Sequence, residues 1–67
     1  MPSVIANGEA VTTSLPCSLE NFLISRDILP NSVVVEWNGE AITHSEFSEL
    51  MLTDGDRIEI VRIVAGG

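Results

Sequence analysis

The chain has 67 residues, with 10 acidic side chains against 3 basic ones, a formal net charge of −7 and a pI near 4.2. A chain this short hides only about 60% of the surface that its unfolded form exposes, which leaves no room for a second domain or for a cleft enclosing substrate and cofactor. All three cations are arginines (Arg26, Arg57 and Arg62) and lysine is absent. The phosphate-neutralising footprint of a nucleic-acid binder is therefore missing, and an anionic lipid surface would repel the chain. The natural complement of such a field is a basic protein. Hydrophobic residues make up 45% of the sequence, enough to expect a packed core.

Cys17 is the single cysteine, so no intrachain disulfide can compensate for the small core, which fits a reducing compartment. No apolar run exceeds three residues, as at Val33–Val35 and Ile63–Ala65, far short of the roughly 20 residues of a membrane span. Met1-Pro2-Ser3-Val4 carries neither a basic start nor a long apolar stretch, so no secretory signal is expected and the cytoplasm is the expected compartment.

Along the chain, Val4 to Ala6 reads as a short strand closed by Asn7-Gly8, a strong hairpin signal. Glu9 to Leu15 reads as the returning strand, ended by Pro16, which has no backbone donor. Ser18 is placed to cap a helix from about Leu19 to Arg26 that buries Leu19, Phe22 and Leu23. Val33 to Trp37 is the clearest strand, with three β-branched residues in a row. Asn38-Gly39 turns into an extended piece at Ala41-Ile42, and Thr43 three residues before Glu46 predicts a capped helical turn near Ser45 to Phe47. Leu50 and Leu52 are expected to anchor an irregular stretch before the Asp54-Gly55 turn. Arg57 to Val64 closes the chain as a strand with Ile58, Ile60 and Val64 on one face and Val61 and Ile63 on the other. The Asn-Gly-Glu triplets at 7–9 and 38–40 read as two similar turns rather than a repeat. This order predicts an α+β fold: a mixed sheet of four to five strands with one helix packed on one face. Together with the length and the terminal Gly-Gly, it resembles the β-grasp, or ubiquitin-like, fold. The expected organisation is a single domain over 1–64 and a flexible tail over 65–67.

The catalytic inventory is nearly empty. Cys17 and His44 are the only thiol and imidazole, and Cys17 reads as a small half-buried hydrophobe while His44 sits in a polar, solvent-facing turn. No His, Cys or carboxylate spacing suits a metal, and Asp54 and Asp56 around Gly55 suit turn geometry better than calcium. No glycine-rich phosphate loop is present, so ATP has no recognised seat on this chain. What remains is the end. A terminal Gly-Gly arises by chance in about one chain in 200 at average composition. It reads either as a frayed terminus or as a reactive one. Two residues without Cβ can thread a narrow channel in another protein. The α-carboxylate of Gly67, ionised at neutral pH, is a poor electrophile, and its activation requires a partner that binds ATP.

Asn7-Gly8-Glu9, the run Val33-Val34-Val35-Glu36-Trp37-Asn38-Gly39, the run Asp54-Gly55-Asp56-Arg57-Ile58-Glu59-Ile60 and the ending Val64-Ala65-Gly66-Gly67 resemble the ThiS family, the sulfur carriers of thiamine biosynthesis. The resemblance covers essentially the whole chain. It implies that a ThiF-like adenylyltransferase activates Gly67 with ATP, that a sulfur donor protein converts the adenylate to a thiocarboxylate, and that a thiazole synthase (ThiG-like) takes the sulfur. The carrier would bind no cofactor and would not itself be an enzyme. Gly66 and Ala65 would thread the partner's active site, and Val61, Ile63, Val34 and Ile5 would form the docking face beside the tail. Ile42-Thr43-His44-Ser45 stands where family members often carry Val-Pro-Arg-Ser. Three alternatives share the same features: a molybdopterin-synthase small subunit, a protein-conjugating modifier, and a non-covalent β-grasp interaction module.

Overall fold

In chain order, the computed structural model, which describes residues 1–63, contains strand β1 (Ser3–Ala6), strand β2 (Glu9–Thr12), strand β3 (Cys17–Ser18), helix α1 (Leu19–Ser25), strand β4 (Val33–Trp37), strand β5 (Glu40–Ile42), strand β6 (Met51–Leu52) and strand β7 (Arg57–Arg62). Short 3₁₀ turns at Pro30–Ser32 and His44–Glu46 link the elements. The main sheet has five strands in the order β2-β1-β7-β4-β5, and β3 and β6 form a separate two-stranded ladder. β1 runs parallel to β7, and every other pair is antiparallel. A mixed sheet with one helix is the expected α+β architecture.

Two hairpins are built alike. Asn7 and Gly8 (φ 50° and 83°) and Asn38 and Gly39 (φ 49° and 86°) occupy the left-handed region at both central positions, the conformation of a two-residue I′ turn. Each asparagine then reaches the last strand. Asn7 Oδ1 accepts the Ile60 N–H at 2.7 Å while its Nδ2 donates to the Ile60 carbonyl at 3.1 Å. Asn38 Oδ1 accepts the Arg57 N–H at 2.9 Å. The two turns therefore supply, with side chains, ladder partners that β7 would lack where β1 and β4 end.

Helix α1 begins as expected, with Ser18 Oγ accepting the Asn21 N–H at 3.0 Å. Its other first-turn donors are taken by carbonyls across the molecule: Leu19 N–H by Leu50 and Glu20 N–H by Phe47, both at 2.9 Å. The helix ends at Ser25, one residue earlier than the sequence predicts, because Asp27 (φ 60°) turns left-handed. The Ile28 N–H bonds Leu23 O and the Asp27 N–H bonds Ile24 O, a Schellman closure with aspartate where glycine is usual. Leu19, Phe22 and Leu23 are buried with Val4, Val33, Val35, Phe47, Leu52 and Ile58 between helix and sheet.

Three expected boundaries are corrected. β2 ends at Thr12 rather than Leu15: Thr13 N–H still reaches Pro2 O at 3.3 Å, but Pro2 has no N–H to return, and the ladder stops. The stretch around Leu50 and Leu52 is not wholly irregular, since Met51 pairs with Ser18 and Leu52 with Cys17. The last strand ends at Arg62, and Val64 lies outside the described residues.

Replacing Asn7 by alanine leaves the Ile60 N–H and carbonyl without these partners in a half-buried segment. We expect a loss of about 1–2 kcal/mol in urea unfolding, with an unchanged m-value. A loss below about 0.3 kcal/mol would show that water replaces the amide at no cost.

Candidate functional site

The alternation of β7 decides what the protein hides and what it shows. Ile58 is buried, whereas Val61 on the opposite parity is 57% exposed. The register sets Val61 directly against Val34 of β4, itself 49% exposed, so the two valines meet on the face away from the helix. Ile63, 49% exposed, follows Val61 at the same parity and is held by its N–H to the Ser32 carbonyl at 2.8 Å. Ile5 shares this face but lies apart. It pairs with Arg57, at the opposite end of β7 from Val61, and is half-buried. The structure thus brings together Val34, Val61 and Ile63 of the expected docking residues and leaves Ile5 at a distance. Ala65, Gly66 and Gly67 lie outside the described residues.

A shallow groove of about 440 Å³ runs over this face, lined by Val34, Val35, Glu36, Ala41, Ile42, Glu59 and Val61. Beside the valine pair, Glu36 lies directly opposite Glu59. Outward parity made both carboxylates legible as surface residues. Their juxtaposition depends on the β4–β7 register, which no local pattern reports.

Several other polar side chains serve the scaffold. Burial would raise the Asp56 carboxyl, but donation from the Thr53 N–H at 2.9 Å, Trp37 Nε1 at 3.1 Å, Asn38 Nδ2 and the Thr53 hydroxyl outweighs it and holds the group below the usual aspartate range. Asp54 Oδ1 accepts the Ser3 N–H at 2.9 Å, tying the same turn to the start of β1. Glu46 closes the expected capping box on Thr43, and donation from the Thr43 N–H and hydroxyl lowers its carboxyl. His44 is exposed, as expected, but not free: Nε2 donates to the Val33 carbonyl at 2.8 Å and the ring meets Phe47 edge-on, centroids 5.0 Å apart. Cys17 is half-buried, and desolvation raises its thiol, which keeps it protonated and a weak nucleophile near neutrality. Among the described residues, no helix is long and apolar enough to cross a membrane.

A five-stranded mixed sheet whose first and last strands run parallel, crossed by one helix, defines a ubiquitin-like β-grasp domain. A crystal structure of the thiamine biosynthesis protein ThiS from Geobacter metallireducens superposes with a TM-score of 0.84 at 25% identity, covering 97% of this chain and 99% of that one. The ThiS family model matches residues 5–67, and the chain belongs to the ThiS family, small sulfur carriers of thiamine biosynthesis. An uncharacterized protein, ycf40, of Pyropia yezoensis is 35% identical over 65 residues, covering 97% of this chain and 92% of that protein. A thiazole synthase of Paramagnetospirillum magneticum is 31% identical over 64 residues, which are 96% of this chain but 20% of the synthase.

Two outcomes follow from this geometry. Val61→Asp should lower stability by no more than about 1 kcal/mol, whereas Ile58→Asp, which puts a carboxylate into the core, should abolish cooperative melting. Thermal melts followed by circular dichroism check both, and unfolding by the Val61 change would reverse the assignment of faces. For Asp56 the folded pKa lies below its unfolded value of about 3.9. The stability it contributes is complete above that value and is lost as the pH falls through the folded pKa. Asp56→Asn should therefore lower stability at pH 7 by about 1 kcal/mol and flatten its decline below pH ~4, measured by urea titration at a series of pH values.

Proposed function

We propose that the α-carboxylate of Gly67 is the working group of this carrier. Its oxygen attacks the α-phosphorus of ATP on a ThiF-like adenylyltransferase, and pyrophosphate leaves. The outer sulfur of a donor protein's persulfide then attacks the acyl carbon and AMP leaves, giving an acyl disulfide. A thiol attacks the donor's inner sulfur, forms a disulfide with it and releases the thiocarboxylate, which delivers sulfur to a thiazole synthase. The carrying observation is that the family match runs through residue 67 and so includes the terminal Gly66-Gly67. Thiazole synthases from two organisms contain a stretch similar to nearly all of this chain, which supports that enzyme as the acceptor.

Val34, Val61 and Ile63 are proposed as the docking face for these partners. Residues 64–67 can span at most about 14 Å from Ile63. A partner seated on the valine pair therefore needs its reaction centre close by, and the face acts as a positioning device for the terminus. Ile5, at the far end of β7, would extend the contact only for a partner broad enough to cross the sheet. Ala65 and Gly66, lacking bulky side chains, are proposed to enter the activating enzyme's channel.

Deleting Gly67, or replacing it by valine, should abolish ATP–pyrophosphate exchange with a purified ThiF-like adenylyltransferase. Deletion withdraws the carboxylate by up to about 3.5 Å, and a misplacement of 1 Å can cost about a hundredfold. Valine keeps the reach but adds a β-branched side chain to the channel. The deletion should change unfolding free energy by less than about 0.5 kcal/mol. Exchange at the wild-type rate by the shortened chain would remove Gly67 from the chemistry and leave a plain interaction module. Intact mass after incubation with ATP and a sulfur source provides the second check, through the replacement of one oxygen by sulfur.

A further inference from the structure

The groove between β4 and β7 carries an arrangement that folding alone does not favour. Glu36 and Glu59 face each other directly across an antiparallel pair, both exposed. Side chains so placed have Cβ atoms about 4.5–5.5 Å apart, and like charges there are destabilising. The row on one side holds the Val34–Val61 pair, Ala41 lies opposite Glu36 on β5, and the same groove is lined by all five. The cation nearest in register on this face, Arg57, belongs to the row beyond Glu59 and lies beside Ile5. Apolar floor and doubled negative charge thus sit one strand repeat, about 7 Å, apart.

We propose that this groove docks a segment of the activating adenylyltransferase that sets an apolar side chain on Val34 and Val61 and an arginine between Glu36 and Glu59. The inference rests on the carrier reading above and names the partner chemistry at its docking face. A single cation between the two carboxylates converts their mutual repulsion into two attractions. A planar guanidinium, with donors on both sides, can serve both at once, which an ammonium does less well. The occupant is a basic partner rather than a second copy of this chain: two copies would bring their glutamate pairs together, and each carries a net charge of −7. Ala41 keeps the approach from the β5 side open because it has only a methyl group.

The test uses the isosteric pair E36Q and E59Q, singly and together, in the full chain. Each is read in ATP–pyrophosphate exchange with a purified ThiF-like adenylyltransferase and in thermal unfolding. The double variant should raise KM for the carrier about tenfold with kcat unchanged, and its KM should respond less to added salt than that of the wild type. Its Tm should rise by about 1–5 °C, because the repulsion across the strands is gone. Opposite signs for docking and stability are the signature of a charge pair retained for a partner. An unchanged KM overturns the proposal, as does a raised KM accompanied by a fall in Tm, which would mean that the glutamates act through the fold. A wild-type chain that supports no exchange overturns the carrier reading itself, an outcome distinct from wild-type exchange with indifferent variants.

Discussion

The insertion of β7 between β1 and β4 is the contact on which the rest of the structure depends. It joins the two ends of the described chain, with Ile5 against Arg57 and Ala6 against Ile58 in parallel on one side and five antiparallel pairs to β4 on the other. Parallel pairing cannot be made by a tight turn and requires a crossover, so everything from β2 to the Asp56 turn is the connection that allows it. Closing that loop costs entropy before any of its contacts form. The turn chemistry offsets part of this cost: Asn7 and Asn38 grip β7 from its two flanks, and Asp56 gathers Trp37, Asn38 and Thr53 at the point where the strand starts. Once β7 is seated, Ile58 completes the core beneath the helix and Val61 is turned outward without any further device. The two parities of one strand therefore divide the core from the exposed face proposed for docking.

Much of this was legible because it is local. Asn-Gly at 7–8 and 38–39, Ser18 as a cap, Thr43 with Glu46, and the β-branched run at Val33–Val35 each carry their physical reason within a few residues, and each stands in the structure as read. The parity of Ile58 and Val61 was likewise available from alternation alone. What was not legible is non-local. The short β3–β6 ladder pairs Cys17 with Leu52, 35 positions apart, and neither two-residue strand has a pattern of its own. The early end of β2 depends on Pro2, the residue just before the partner strand β1, rather than on β2 itself. His44 looked like a free turn residue because its partner, the Val33 carbonyl, is a backbone atom that no side-chain motif announces.

The departure at Ile42-Thr43-His44-Ser45 gains a physical meaning from the same contacts. Here the chain places a capping threonine and a histidine that folds back onto β4 and Phe47. The segment is spent on the scaffold, fastening the end of β5 to the sheet and the buried Phe47. On the proposed reading, recognition is then left to the sheet face, where Val34, Val61 and the opposed glutamates lie.

Magnitudes decide what kind of docking such a face can support. Fully burying a valine side chain stabilises by about 1.5–3 kcal/mol, so the exposed halves of Val34 and Val61 offer roughly 1 kcal/mol each. Association costs at least about 4 kcal/mol in lost rigid-body freedom. The valine pair alone cannot hold a partner. On the proposed reading, the balance comes from the carboxylates of an acidic surface and from the terminus once it is inside the partner's channel. A complex assembled from several small terms forms quickly under charge steering and separates readily when one term is lost. That suits the proposed role, in which the carrier must leave the enzyme that activates it before it can meet the enzyme that takes its sulfur, whereas a large apolar interface of the obligate kind would hold it at the first stop.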